Sequence, residues 1–192
     1  MDADEVKILL VEDDDDLRIT LSDFISRMGV KVKTASDVPS ALRAIQGEGA
    51  FNIVLTDLKL PGGTGMDVVR AVHGRTPEAL VAILTGYASL ETAIEAIRAG
   101  AYDYITKPFS LEGIGVQVRN MIGRVALSRE NARLSLRLQE VCMQLDTYRS
   151  ERNDMLKYQE RILGSLREAT GKLDQLLSTS DIQRPTSAVS VS

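Results

Sequence analysis

The sequence has no tryptophan, one cysteine, one histidine and five prolines among 192 residues. Aromatic residues make up only 4%. So few rings argue against one large globular core built from the entire chain. Cys142 stands alone, so no intrachain disulfide can form and a disulfide scaffold is excluded. That usage fits a reducing compartment. No apolar run approaches the roughly 20 residues that span a bilayer. The first residues, MDADEVK, are acidic where a secretory leader is basic. A cytoplasmic protein with no membrane association is the expectation. No GxxxxGK[ST] pattern occurs, so there is no phosphate loop of an ATPase module. His73 has no second histidine or carboxylate near it in sequence, which predicts an exposed structural role.

What is present is a composition of ordinary globular kind, 44% hydrophobic and 26% charged. The charge is uneven. Residues 1–115 hold 18 acids and 11 bases, a net of −7, and residues 116–192 hold 9 acids and 12 bases, a net of +3. Two halves of different character follow from this: a domain over 1–115, and a long helix over 110–178.

In the first half, short aliphatic runs alternate with amphipathic stretches. Val6–Val11, Val30–Ala35, Phe51–Thr56, Leu80–Leu84 and Tyr102–Thr106 read as strands. Asp15–Met28, Asp37–Gln46, Met66–Val72 and Ser89–Arg98 read as helices, with glycines Gly29 and Gly100 closing the first and last of these. Between the third strand and its helix, Pro61, Gly62, Gly63 and Gly65 make a loop. Strands alternating with helices imply an α/β fold: a five-stranded parallel sheet with helices on both faces. In such sheets the functional groups sit beyond the carboxyl ends of the strands.

Those ends carry chemistry. The first strand closes on Glu12, Asp13 and Asp14, the third on Asp57, the fourth on Thr85, and the fifth on Lys107 followed by Pro108. Carboxylates converging at one edge repel unless a cation sits among them. Oxygen ligands without His or Cys suit a hard ion, with Mg2+ the expected cofactor. Such a site suits phosphoryl transfer to a carboxylate, with Lys107 supplying fixed positive charge and Thr85 a hydroxyl. Taken alone, Glu12–Asp16 reads as a solvated acidic run favoured by a helix dipole. The other three strand ends make that reading insufficient, although Asp15 and Asp16 keep it as capping and first-turn residues.

The segments ILLVEDDDDLR (8–18), VLTDLKLPGGTGMDVV (54–69), AILTGYAS (82–89) and AYDYITKPF (101–109) resemble, in order and spacing, the receiver domain of bacterial two-component response regulators, of NtrC type. The resemblance covers residues 6–109 and implies a flavodoxin-like receiver. It implies Asp57 as phosphoacceptor, and Glu12 and Asp13 as the acidic pair near Mg2+. Asp13 and the main-chain carbonyl of Lys59 would be direct ligands. It implies Thr85 and Lys107 as contacts to the phosphoryl group, Tyr104 as a switch aromatic, and a cis peptide at Lys107-Pro108. It implies a sensor histidine kinase or phosphotransfer protein as donor, and no enzyme activity beyond self-phosphorylation and self-dephosphorylation. Gly63-Thr64-Gly65 makes the loop after Asp57 more glycine-rich than the family pattern, which bears on loop rigidity and not on the chemistry.

The second half reads differently. A fifth helix opens at Ser110, with Leu111, Ile114, Val118, Met121 and Ile122 facing the sheet. It runs into seven heptads over 127–176. The d positions are Leu127, Leu134, Val141, Tyr148, Met155, Ile162, Ala169 and Leu176; the a positions are Asn131, Leu138, Leu145, Arg152, Gln159, Leu166 and Leu173. Twelve of these fifteen are apolar. The stripe predicts a coiled coil, its seam carried by Leu134, Leu138, Val141, Leu145, Ile162 and Leu166, about 75 Å long over 50 residues at about 1.5 Å each. The expectation is a parallel homodimer signalling to an unidentified downstream protein, with antiparallel and trimeric packing left open. Residues 179–192, rich in Ser and Thr, read as a disordered tail. His73 being the only histidine, the coil is no phosphotransfer domain of a histidine kinase.

Arg119, Arg124, Arg129, Arg133 and Arg137, with only Glu130 as an acid among them, offer an alternative, a DNA-binding regulator. The stronger reading is a solvated face on an acidic chain, so DNA is not the expected partner. A third reading, phosphatase action on another receiver, rests on Glu140 and Gln144.

Overall fold

The computed structural model describes residues 6–47 and 49–180. Its first elements alternate strictly: β1 (Lys7–Val11), α1 (Asp15–Ser26), β2 (Lys31–Ala35), α2 (Val38–Gly47) and β3 (Ile53–Asp57). A small antiparallel ribbon of β4 (Lys59–Leu60) and β5 (Gly63–Thr64) comes next. After it come α3 (Gly65–Arg75), β6 (Leu80–Thr85), α4 (Leu90–Arg98), β7 (Asp103–Thr106) and α5 (Leu111–Ser180). The main sheet has five strands in the order β2-β1-β3-β6-β7, every pairing parallel.

The central strands β1, β3 and β6 form because they are buried on both faces, as parallel strands between helices must be. All five residues of β3 are buried. Alternation divides β1 between two cores: Leu9 and Val11 pack with α2, α3 and Ala96 of α4, and Ile8 and Leu10 with α1 and the opening turns of α5. The edge strand β2 exposes Lys31 and Lys33, charged positions that discourage pairing with another sheet.

Local caps set several boundaries. Asp14 accepts from the Leu17 amide at 3.0 Å and starts α1. That helix ends at Ser26, two residues before Met28, and the chain turns through Gly29 at φ 78°. Asp37 holds the Ser40 amide at 2.6 Å ahead of α2. Ser89 and Thr92 form a reciprocal capping box at α4. At α3 a similar box joins Thr64 and Asp67, so this helix begins at Gly65 and runs to Arg75, longer than the stretch Met66–Val72. His73 is half-buried rather than exposed. Its ring nitrogens lie 3.3 Å from the Ala99 carbonyl and 3.2 Å from that of Ala79, joining the end of α4 to the loop before β6.

The chain divides into two compact units, one up to Asn131 and one from Ala132. In the first, Ile114, Val118, Met121 and Val125 of α5 are buried against the sheet, while Leu111 stays exposed. In the second, α5 continues without a break, and every described side chain is exposed. The seam residues Leu134, Leu138, Val141, Leu145, Ile162 and Leu166 are 43–66% exposed. Most of the expected tail, from 181 onward, lies outside the described residues. Among the described residues, no helix is long and apolar enough to cross a membrane.

Candidate functional site

Parallel strands all point their carboxyl ends to one edge, and the chain leaves each strand there. Glu12 follows β1, Asp57 ends β3, Thr85 ends β6 and Lys107 follows β7. The ladder fixes them: the Glu12 amide bonds the Ala35 carbonyl at 3.1 Å, and the Lys107 amide bonds the Thr85 carbonyl at 2.8 Å. The Lys107-Pro108 peptide is cis.

Lys107 binds two acids at once. Its Nζ lies 2.7 and 2.9 Å from the two carboxylate oxygens of Glu12 and 2.6 Å from Asp57 Oδ2. Glu12 is 1% exposed and Asp57 8%. Asp57 Oδ1 accepts from the Lys59 amide at 3.1 Å. Burial pushes the Glu12 carboxyl above its ordinary range, against the hydrogen bond and charge of Lys107; the neighbouring Asp57 charge pushes the same way. Burial works to lower the Lys107 ammonium, but hydrogen bonds to Asp57 and Glu12 outweigh it and hold the group above its usual value.

The exposed Asp13 completes the cluster: carboxylate oxygens of Glu12, Asp13 and Asp57 all lie within 4.8 Å of one another. Three carboxylates against one ammonium leave two negative charges in excess. An all-oxygen donor set with that surplus fits a divalent hard cation. Within the run Glu12–Asp16 the labour is divided, with Asp14 as the α1 cap and Asp15 and Asp16 in its first turn.

The loops around the cluster are packed. Thr85 is fully buried, and its Oγ1 accepts from the Tyr87 amide at 3.1 Å. The Lys59 ammonium sits 3.3 Å from the centre of the Tyr87 ring, tying the loop after β3 to the loop after β6. Gly65 is required by close approach: a Cβ there would collide with the Asp57 carbonyl oxygen. The glycine-rich loop is therefore a paired ribbon closed against the backbone of the site. Tyr104 is half-buried against the α2–α3 core, and its hydroxyl lies 2.7 Å from Thr92 Oγ1 in the cap of α4.

The spacing of the strand ends thus brings Glu12, Asp13, Asp57 and Lys107 together, with Thr85 at the end of the strand beside β3. The Lys59–Tyr87 contact between loops and the Tyr104–Thr92 contact between β7 and α4 have no periodic signal in the sequence.

A doubly wound parallel sheet carrying this acid–lysine cluster has the CheY-like receiver fold. The family model described as "Response regulator receiver domain" matches residues 8–119, and the chain belongs to that family. The chain is 41% identical over 105 residues to the response regulator protein PilR of Pseudomonas aeruginosa, a match covering 55% of this chain and 23% of PilR. It is 39% identical over 101 residues to the photosynthetic apparatus regulatory protein RegA of Rhodobacter capsulatus, covering 53% of this chain and 54% of RegA. Among solved structures, NtrX from Brucella abortus superposes with a TM-score of 0.60 at 34% identity, covering 66% of this chain and 29% of NtrX. The chain thus spans about a quarter of the length of PilR, and α5 continues past the matched residues to Ser180. Receiver domains bind Mg2+ at an acidic pocket, and the cluster of Glu12, Asp13 and Asp57 suits that ion.

Proposed function

We propose that the chain is a response regulator that accepts a phosphoryl group on Asp57 from a sensor histidine kinase or phosphotransfer protein. In this reading it acts in the cytoplasm and passes the signal by protein interaction, through the receiver face and a dimeric coiled coil. The observation that carries it is Lys107 Nζ bound to both Glu12 and Asp57 at the carboxyl edge of the sheet. A carboxylate oxygen of Asp57 attacks phosphorus and forms the new P–O bond. The bond from phosphorus to the donor breaks, and the donor leaves with the electron pair. Lys107 stays beside the reacting oxygens and offsets charge on the phosphoryl group. Thr85 Oγ1, whose lone pair takes the Tyr87 amide, keeps its proton for a phosphoryl oxygen. When bound by Glu12, Asp13, Asp57 and the Lys59 carbonyl, Mg2+ supplies further neutralisation. Beyond its own phosphorylation and dephosphorylation the chain catalyses nothing.

The switch in this reading is Tyr104. Its hydroxyl is held by Thr92, so a shift of Thr85 toward a phosphoryl group gives Tyr104 a reason to leave α4. The face formed by α4, β7 and α5 then changes, and with it the start of the coil. A difference of only a few kcal/mol between the two states suffices.

The test is incubation of the full chain with a small phosphoryl donor and Mg2+, read by intact mass. Light scattering with and without beryllofluoride then follows the oligomeric state. One added phosphoryl group, lost in Asp57→Ala, is expected. An unmodified chain, or equal labelling of the variant, refutes acceptance at this residue. Unchanged partner binding in Asp57→Ala removes the signalling role.

A second reading is DNA binding through the arginines at the start of the coil. It draws on DctD of Pseudomonas aeruginosa, a relative whose name calls it a transcriptional regulatory protein and which is 32% identical over 136 residues. The match covers only 29% of DctD. Salt-dependent retardation of duplex DNA supports this reading, and none at low salt removes it.

A further inference from the structure

The second unit holds an adjacent acid and base, Glu151 and Arg152, that find no partner one turn away on their own helix. Some charged residues on α5 have a partner one turn away. Asp146 and Arg149 lie 3.9 Å apart, and Asp154 and Lys157 3.7 Å apart. Glu151 and Arg152 have none, as is true of Arg161, Arg167 and Asp174, which lie off the a and d positions. The positions three and four residues from Glu151 are Thr147, Tyr148, Asp154 and Met155, with no base among them. Those from Arg152 are Tyr148, Arg149, Met155 and Leu156, with no acid. Among the described residues neither enters an ion pair within its chain, and both are exposed.

Arg152 is also the only charged residue on the apolar stripe. It occupies an a position, between Tyr148 and Met155 at d. An arginine there has to find an acid across the seam or sit against its own kind. Its sequence neighbour Glu151 is at g. In a parallel, in-register pair, an a side chain enters a hole bounded by the preceding d and g and by the a and following d of the facing helix. For Arg152 that hole contains the partner's Glu151. Twofold symmetry repeats the contact, so the pair closes two acid–base contacts with no charge left over. In an antiparallel pair the g positions face one another instead, and Glu151 has no fixed arginine opposite it.

We infer that the second copy of this chain docks on the stripe of α5 in parallel and in register, with Arg152 of each helix set against Glu151 of the other as the orientation lock. This rests on the dimeric coil proposed above and adds its register and the residue pair that fixes its direction. The apolar layers supply the affinity. Leu134, Leu138, Val141 and Leu145 lie before the lock, and Ile162, Leu166, Leu173 and Leu176 after it; all are at least 43% exposed on the single chain. The lock supplies discrimination, the best-attested use of a charged or polar group in such a seam. Asn131 and Gln159, the other polar a positions, are uncharged and can each pair with their symmetry mate. The apolar e residues Leu156 and Leu163 then lie against g side chains of the facing helix, Glu151 and Tyr158, and flank the lock with packing.

The experiment is a charge swap in the full chain, with the dimer dissociation constant measured by sedimentation equilibrium. Arg152→Glu sets acid against acid, and Glu151→Arg sets base against base. Each is expected to weaken the dimer by about tenfold or more, as like charges meeting in an interface do. The double variant restores opposite signs and is expected to return close to the wild-type constant. A second measurement fixes direction without disturbing the lock. Val141→Cys in a Cys142→Ser background places one thiol at a d position, and mild oxidation is expected to cross-link the parallel pair. Wild-type chains that dimerise while the double variant stays as weak as the singles, or while the Val141→Cys thiols remain unlinked, overturn the lock and leave the dimer standing. A wild-type chain that stays monomeric overturns both.

Discussion

Replacing Lys107 by methionine keeps most of the apolar stem of the side chain and removes its charge. In the folded protein the ammonium touches Glu12 and Asp57, whose side chains are 1% and 11% exposed. Removing one partner of a buried ion pair costs about 3–5 kcal/mol. Lys107 itself is 20% exposed, which sets the expectation near the lower end, about 3 kcal/mol. An independent bound agrees. The stranded Glu12 can escape by taking a proton. At neutral pH that lies 2.5 units above its ordinary 4.5, and at about 1.36 kcal/mol per unit the escape costs about 3.4 kcal/mol. The sign with pH follows. Glu12 already has its folded pKa raised above 4.5. Without Lys107 that shift grows, and the penalty is absent below 4.5 and increases as pH rises through the folded value. The raised pKa of Lys107 stabilises the wild type fully below 10.5, and this contribution is lost as pH climbs through its folded value. The gap between the two proteins therefore opens above pH 4.5, holds through neutrality and closes at strongly alkaline pH. The assay is hydrogen exchange of the β3 peptide across a urea series in EDTA, which reports on this unit alone. At a slope of about 2 kcal/mol per molar urea, the midpoint falls by about 1.5 M at pH 7. A midpoint unchanged at pH 7, or a gap that widens toward pH 4, refutes the role assigned to the ammonium.

Asp67→Asn removes a charge-assisted cap on α3 and costs about 1 kcal/mol at neutral pH in urea unfolding. Hydrogen bonds from the Thr64 amide, from Arg70 and from the Thr64 hydroxyl hold the Asp67 carboxyl below 3.8, so this advantage is present above that value and disappears as pH falls through the folded one. Tyr104→Phe deletes the 2.7 Å contact with Thr92 Oγ1. Thr92 keeps its bonds to Ser89, so the expected loss is about 0.5–1 kcal/mol, seen as faster amide exchange in α4 and not in β1. Gly65→Ala forces a Cβ against the Asp57 carbonyl oxygen; a loss of about 1–3 kcal/mol is expected in thermal unfolding. Mg2+ affinity, measured by calorimetry, is expected to weaken because the ribbon after Asp57 has to move.

The parallel sheet was readable because each of its strands is short, aliphatic and followed by a helix. The same pattern reveals the site, since the side chains that close those strands are the ones that converge. Glu12, Asp57, Thr85 and Lys107 needed no contact information to be singled out. What escaped reading has a common cause. The Thr64–Asp67 box that lengthens α3, the two-residue ribbon, and the Tyr87 ring over Lys59 depend on backbone turns and loop contacts without periodicity. His73 read as exposed because its partners are main-chain carbonyls, which carry no residue-type signal. Val125 is buried one turn beyond the residues expected to face the sheet, because α5 passes through Gly123 unbroken; a glycine inside a helix costs only about 1 kcal/mol.

The bridge at Lys107 joins residues far apart along the chain. The lysine is 95 positions from Glu12 and 50 from Asp57. During synthesis Asp57 emerges before the base that balances it, and β7, which leads to that base, lies at the edge of the sheet beside β6. A chain made only as far as β6 has Asp57 but not the cation that steadies it. In the proposed reading, competence to accept a phosphoryl group therefore requires the part of the domain made last, β7 and the Lys107 that follows it.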